Sequence, residues 1–127
     1  MIEQIETHPT IVVVDDERGV VAVLRRLLSD FGNNYDVITA SSAAEALAHI
    51  EGRNVALVIT DYNMAGMDGL QLAEAIKQRT PSTGVVLITA YASPDLERRA
   101  KARVDYFLTK PFALDALEQI VDKVIAA

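Results

Sequence analysis

Apolar residues follow two different spacings along this chain. In one, the run is short and unbroken: Ile11-Val12-Val13-Val14 near the start, Val55-Ala56-Leu57-Val58-Ile59 in the middle, Val85-Val86-Leu87-Ile88 further on. Such β-branched runs predict strands buried on both faces, hence a parallel sheet covered by helices. In the other, apolar residues recur on one helical face. Val20, Val23, Leu24, Leu27, Leu28 and Phe31 form one such stripe, and Leu114, Leu117, Val121 and Val124 form another. Both stripes are expected to pack into the core.

Taken in order, residues 1–9 are expected to be a flexible N-terminal arm closed by Pro9, and residues 10–127 a single domain. Strands are predicted at 10–14, 35–40, 55–60, 84–89 and 104–108. Gly32 and Asn33-Asn34 suit the end of the first helix. Ser42-Ala43-Ala44-Glu45 has the capping-box pattern and opens a helix to about Glu51, stopped by Gly52. Asp68 and Gln71 open a third helix, which ends near Arg79 before Thr80-Pro81-Ser82. Ser93-Pro94 starts a fourth, to about Ala102. Regular β-α alternation predicts a doubly wound, flavodoxin-like α/β domain with strand order 2-1-3-4-5.

Composition narrows the function. The chain has 127 residues, a net charge of −6 and a pI near 4.8. That charge makes it a poor direct partner for nucleic acid or an anionic membrane. No apolar stretch approaches the ~20 residues of a membrane span. The acidic leader Met1-Ile2-Glu3-Gln4-Ile5-Glu6 has no apolar core, so it is not read as a signal peptide. There is no cysteine, which excludes a disulfide scaffold and a thiolate nucleophile. A soluble cytoplasmic domain is expected.

The chemistry lies where the strands end. The first strand runs into Asp15-Asp16 and the third into Asp61. In the predicted order these strands are neighbours, so the carboxylates are expected to share a crevice at the carboxyl edge of the sheet. At about 5 Å apart each pair would repel by roughly 3 kcal/mol, so a cation is expected among them. The ligand set is all oxygen, which selects Mg2+, Mn2+ or Ca2+. An open crevice with few protein ligands favours Mg2+. The fourth strand contributes Thr89 and the fifth leads into Lys110-Pro111. Carboxylates, a lysine and a hydroxyl form a suitable cage for a phosphoryl group, with one carboxylate as nucleophile. His8 and His49 have no partners in the sequence pattern and are read as surface residues.

The residues that carry this cage are Asp15-Asp16, Asp61-Tyr62-Asn63-Met64-Ala65-Gly66-Met67-Asp68-Gly69, Thr89-Ala90 and Lys110-Pro111-Phe112. In this pattern, over about residues 10 to 125, the chain resembles response-regulator receiver domains of the CheY-like superfamily. The resemblance implies that Asp61 accepts a phosphoryl group from a histidine kinase or phosphotransfer protein. It implies Mg2+ held by Asp16, Asp61 and the Asn63 backbone carbonyl, with Asp15 acting through water. It also implies Lys110 on the phosphoryl oxygens, Thr89 as the switch hydroxyl and a cis Lys110-Pro111 bond. The switch aromatic falls on Phe107, with Tyr106 as the alternative, and the responding surface is the fourth helix, fifth strand and fifth helix. An output domain or effector protein is the implied recipient.

Some positions depart from that pattern. Ala65 stands where proline is usual, and Arg103-Val104 replaces the usual Gly-Ala. The last helix lacks the charges that pair across winged-helix-regulator dimers, so a monomer or weak dimer is expected. The cluster Arg98, Arg99, Lys101 and Arg103 is read as a solvated helix face, with partner docking as the alternative. Two other functions compete: a receiver-like interaction module that never turns over phosphate, and a Mg2+-dependent phosphatase. The phosphatase would need a second aspartate two residues after the nucleophile, where Asn63 stands. An FMN carrier is disfavoured because Asp15-Asp16-Glu17 would repel its phosphate.

Overall fold

The computed structural model describes residues 8–126. Most of the arm expected at residues 1–9 therefore lies outside the described residues. Five strands, β1 (Thr10–Val14), β2 (Asp36–Ala40), β3 (Val55–Asp61), β4 (Gly84–Thr89) and β5 (Tyr106–Thr109), alternate with five helices. The helices are α1 (Arg18–Phe31), α2 (Ala43–Ile50), α3 (Gly69–Arg79), α4 (Pro94–Lys101) and α5 (Leu114–Ala126). The strands form one parallel sheet in the order β2-β1-β3-β4-β5, as predicted.

Successive strand residues point to opposite faces, so each buried run feeds two layers. Ile11, Val13, Leu57, Ile59, Val86 and Ile88 pack under α1 and α5, against Leu24, Leu28, Leu117, Ile120 and Val121. Val12, Val14, Val58 and Val85 pack on the other face against Ala43, Ala46 and Ile50 of α2 and Leu72, Ala73 and Ile76 of α3. A third cluster under α4 joins Leu70, Leu87, Leu96 and Ala100, with Tyr62, Val104 and Phe107 at its margin.

The helix starts follow local chemistry. Ser93 Oγ accepts from the Leu96 N–H, with Pro94 in the first turn. Asp68 and Gln71 form a complete capping box, each side chain accepting from the other's N–H at 2.9 Å. The box at α2 is displaced. Ser42 Oγ accepts from the Glu45 N–H, but Glu45 Oε1 accepts from the N–H and hydroxyl of Ser41, one residue before the cap.

Several expectations need correction. Tyr35 precedes β2 and instead buries its ring, donating its hydroxyl to the Leu28 carbonyl. β5 begins two residues later than expected. Arg103 and Val104 both donate to the Ala100 carbonyl and so form the turn that closes α4 rather than the start of a strand. Asp105 then pairs with Val85 through both its N–H and its carboxylate. Two residues assigned to the apolar stripes are not in the core: Val23 is 60% exposed and Leu114 53%. They line a cavity of about 530 Å³ between α1 and the β5–α5 loop, whose inner end reaches Asp61 and Lys110.

Candidate functional site

Strand register brings the chemistry to one edge. Val14 is opposite Thr60, Asp61 is opposite Ile88, and Thr89 is opposite Thr109. Asp15, Asp61, Thr89 and Lys110 therefore emerge from four adjacent strands at nearly one level. Asp61 is the last residue of β3, because the Tyr62 N–H still bonds to the Ile88 carbonyl at 2.8 Å. The Gly69 N–H donates to the Tyr62 carbonyl at 2.9 Å and closes the loop that follows.

Asp61 is 8% exposed and its Oδ1 lies 3.3 Å from Lys110 Nζ. Lys110 is held there by its own backbone, whose N–H donates to the Thr89 carbonyl at 2.8 Å, ahead of a cis bond to Pro111. Thr89 is fully buried. Its Oγ1 accepts from the Tyr91 N–H at 3.2 Å, within a loop whose Tyr91 side chain is 82% exposed.

Asp15 is 2% exposed, and its Oδ1 accepts from the Glu17 N–H at 3.0 Å. Burial is the largest influence on it and pushes its pKa up. The Glu17 N–H opposes this, while Asp61 adds to it and Lys110 offsets it. Because the folded state binds this proton more tightly than the unfolded chain, the carboxyl group makes a contribution to stability that declines as pH rises from its ordinary value of 3.8 through the raised folded value. Asp15→Asn keeps an oxygen for Glu17 and removes the charge. It is expected to stabilise the metal-free protein at neutral pH, with the gain disappearing in acid. Urea unfolding in a chelator at both extremes checks this, and a gain that persists in acid would exclude the charge as its cause.

Asp16 does not join the other two. It is exposed, and its Oδ2 accepts from the Ala65 N–H at 3.3 Å. Among the described residues, no three acidic or imidazole groups stand close enough to hold a metal ion. Asp15 and Asp61 are buried at neighbouring strand ends, whereas Asp16 is exposed and bonded to the β3–α3 loop that follows Asp61. The donors present fit a hard cation in kind, being carboxylates and carbonyls next to a buried pair of like charges. Asn63 is exposed in the β3–α3 loop.

Phe107 and Tyr106 lie on opposite faces of β5. Phe107 is half-buried beside Leu87, Leu96 and Ala100, whereas Tyr106 packs toward the α1–α5 layer. Tyr62, which the motif reading did not single out, shares the cluster with Phe107. Its hydroxyl pushes the pKa of the Arg99 guanidinium on α4 upward. An aromatic residue directly after the strand-end aspartate was the available signal. The basic group on α4 is largely paired: Arg98 and Arg99 with Asp95, and Arg103 with Glu74 at 2.9 Å. His49 lies 3.9 Å from Glu45, one turn away. No described helix is long and apolar enough to cross a membrane.

This arrangement has known relatives. The family described as response regulator receiver domain matches residues 11–122. The transcriptional regulatory protein GlrR of Escherichia coli K12 is 40% identical over 113 residues, covering 88% of this chain and 25% of that protein. The chain thus spans about a quarter of the length of the curated relatives it matches. Among solved structures, the response regulator protein TrrA of Thermotoga maritima, in complex with Mg2+-BeF, is 33% identical with a TM-score of 0.81, covering 91% of this chain and 98% of that one. A CheY-like receiver domain protein from Methanospirillum hungatei is 29% identical with a TM-score of 0.82, covering 93% and 94%. The strand-end carboxylates, lysine and threonine are carried by a chain that belongs to the response regulator receiver domain family.

Proposed function

We propose that this domain is a phosphoacceptor switch in which Asp61 takes a phosphoryl group from a histidine kinase or phosphotransfer protein. The observation that carries this reading is the buried Asp61 carboxylate set 3.3 Å from Lys110 Nζ. In the transfer an Asp61 oxygen bonds to phosphorus as the phosphorus–nitrogen bond of the donor phosphohistidine breaks, and the imidazole leaves with that electron pair. Lys110 then moves its attraction from the carboxylate to the phosphoryl oxygens. Asp16, Asp61 and the Asn63 carbonyl would hold Mg2+, with Asp15 acting through water. When bound, the ion supplies charge neutralisation at the phosphoryl oxygens.

Added charge at Asp61 attracts the Thr89 hydroxyl, which must turn its proton from the Tyr91 carbonyl, 3.5 Å away, to the phosphoryl group. Movement of Thr89 would open space beside β4, and Phe107, which packs near Leu87, is the ring expected to use it. Phe107 has no hydroxyl to hold it outward, so its inward position costs little without phosphate and the phosphoryl group supplies only a differential bias. The responding surface of α4, β5 and α5 would meet an output domain or effector protein. The sequence relatives support that recipient, being transcriptional regulators.

The test is direct. With Mg2+ and a small phosphodonor, the intact mass of the protein is expected to rise by one phosphoryl group, and Asp61→Asn should abolish the adduct. An adduct that persists in the folded variant would remove Asp61 from its role.

A further inference from the structure

Asp16 is exposed, unlike the buried Asp15 and Asp61, and it has a partner of its own. The Ala65 N–H reaches it from a loop 49 residues away in sequence and bonds Oδ2 at 3.3 Å. Among the described residues no group of three acidic side chains stands close enough to hold a metal ion. The donor exists because residue 65 has an N–H, which proline lacks. Next to it, Gly66 takes φ +80°, a backbone shape that suits glycine and turns the loop sharply.

We infer that the Ala65 N–H parks Asp16 outside the metal position in the metal-free protein and releases it when Mg2+ binds. This rests on the reading of Asp16 as a Mg2+ ligand. A carboxylate bonded to an amide must trade that bond for the cation, so the hydrogen bond opposes metal binding. Its release also frees the loop of residues 62–68, which leads through the Asp68 cap into α3. Metal occupancy is thereby communicated to the β3–α3 loop before any phosphoryl group arrives. Ala65 is a positioning residue that acts through its backbone.

The test uses the whole chain. Amide hydrogen exchange at Ala65 is expected to be slowed in chelator, to speed up in saturating Mg2+, and to be fast from the outset in Asp16→Ala. Mg2+ affinity is read from a chemical-shift titration of the crevice amides. Ala65→Pro should bind Mg2+ about fivefold more tightly, roughly the worth of one net hydrogen bond. Ala65→Ser keeps the N–H and should stay close to the wild-type affinity. Protection of the Ala65 amide that survives Mg2+, or equal tightening in the proline and serine variants, would overturn the inference. If the proline variant does not fold, exchange in the wild type and Asp16→Ala still decides. Crevice amides that respond to Mg2+ while Ala65 stays protected would remove this inference alone. A crevice silent to Mg2+ would remove the metal reading with it.

Discussion

Alanine at position 69 is expected to destabilise the domain by about 2 kcal/mol and lower its thermal midpoint by roughly 6–10 °C. A Cβ built there would lie 2.5 Å from the Asp61 carbonyl oxygen, 2.6 Å from Leu87 Cδ1 and 3.0 Å from Tyr62 Cα. The leucine methyl can rotate away. The carbonyl cannot, because it belongs to β3 and also accepts the Thr60 hydroxyl at 2.9 Å. Better helix propensity offsets at most about 1 kcal/mol, and less at the first residue of a helix. Relief must come from moving the strand end that carries Asp61, so phosphoryl acceptance by the folded fraction should fall as well. A midpoint equal to wild type would show that the loop yields without disturbing β3.

The second large effect is expected at Lys110. Replacing it by methionine keeps the stem and removes the charge, leaving Asp61 and Asp15 as neighbouring buried carboxylates with no cation. In chelator the loss should be about 2 kcal/mol, at the modest end of values for breaking an ion pair because Lys110 is 29% exposed. In an Asp61→Asn background the same replacement should cost only about 0.5 kcal/mol, since the charge it balanced is gone. The roughly 1.5 kcal/mol difference is the coupling of the pair, readable from urea unfolding of the four proteins in a double-mutant cycle. A cost independent of Asp61 would assign Lys110 to packing instead.

How much of this was legible in the sequence differs by element. The unbroken apolar runs placed β1 and β4 to the residue and β3 to within one, because a strand buried on both faces has no polar residue to blur its period. β5 was misplaced because Val104 reads as a strand former, while its N–H is taken by the last turn of α4. Propensity does not report which carbonyl a given N–H will meet. Asp105, a poor strand residue, marked the boundary. The stripe on α1 predicted Leu24 and Leu28 in the core but could not show that Val23 faces a cleft, since periodicity gives direction and not what stands opposite. At the site, strand ends placed Asp15, Asp61, Thr89 and Lys110 together. The sequence could not show the bond between the Ala65 N–H and Asp16, because its partners are 49 positions apart.

The crossover between β1 and β3 has a consequence for how the domain comes into being. Strand order 2-1-3-4-5 joins segments that are distant along the chain, and among the described residues no two paired strands form a hairpin, so loop-closure entropy must be met before the sheet rewards it. Asp61 and its lysine are 49 positions apart, and Lys110 lies beyond β5, the last strand of the sheet in sequence. A chain that has folded β1 to β4 carries the Asp61 carboxylate but not the cation that balances it. On the proposed function, competence to receive a signal therefore arrives only with β5 and Lys110 in place, and a domain cut before Lys110 should stay mute even with Asp61 intact.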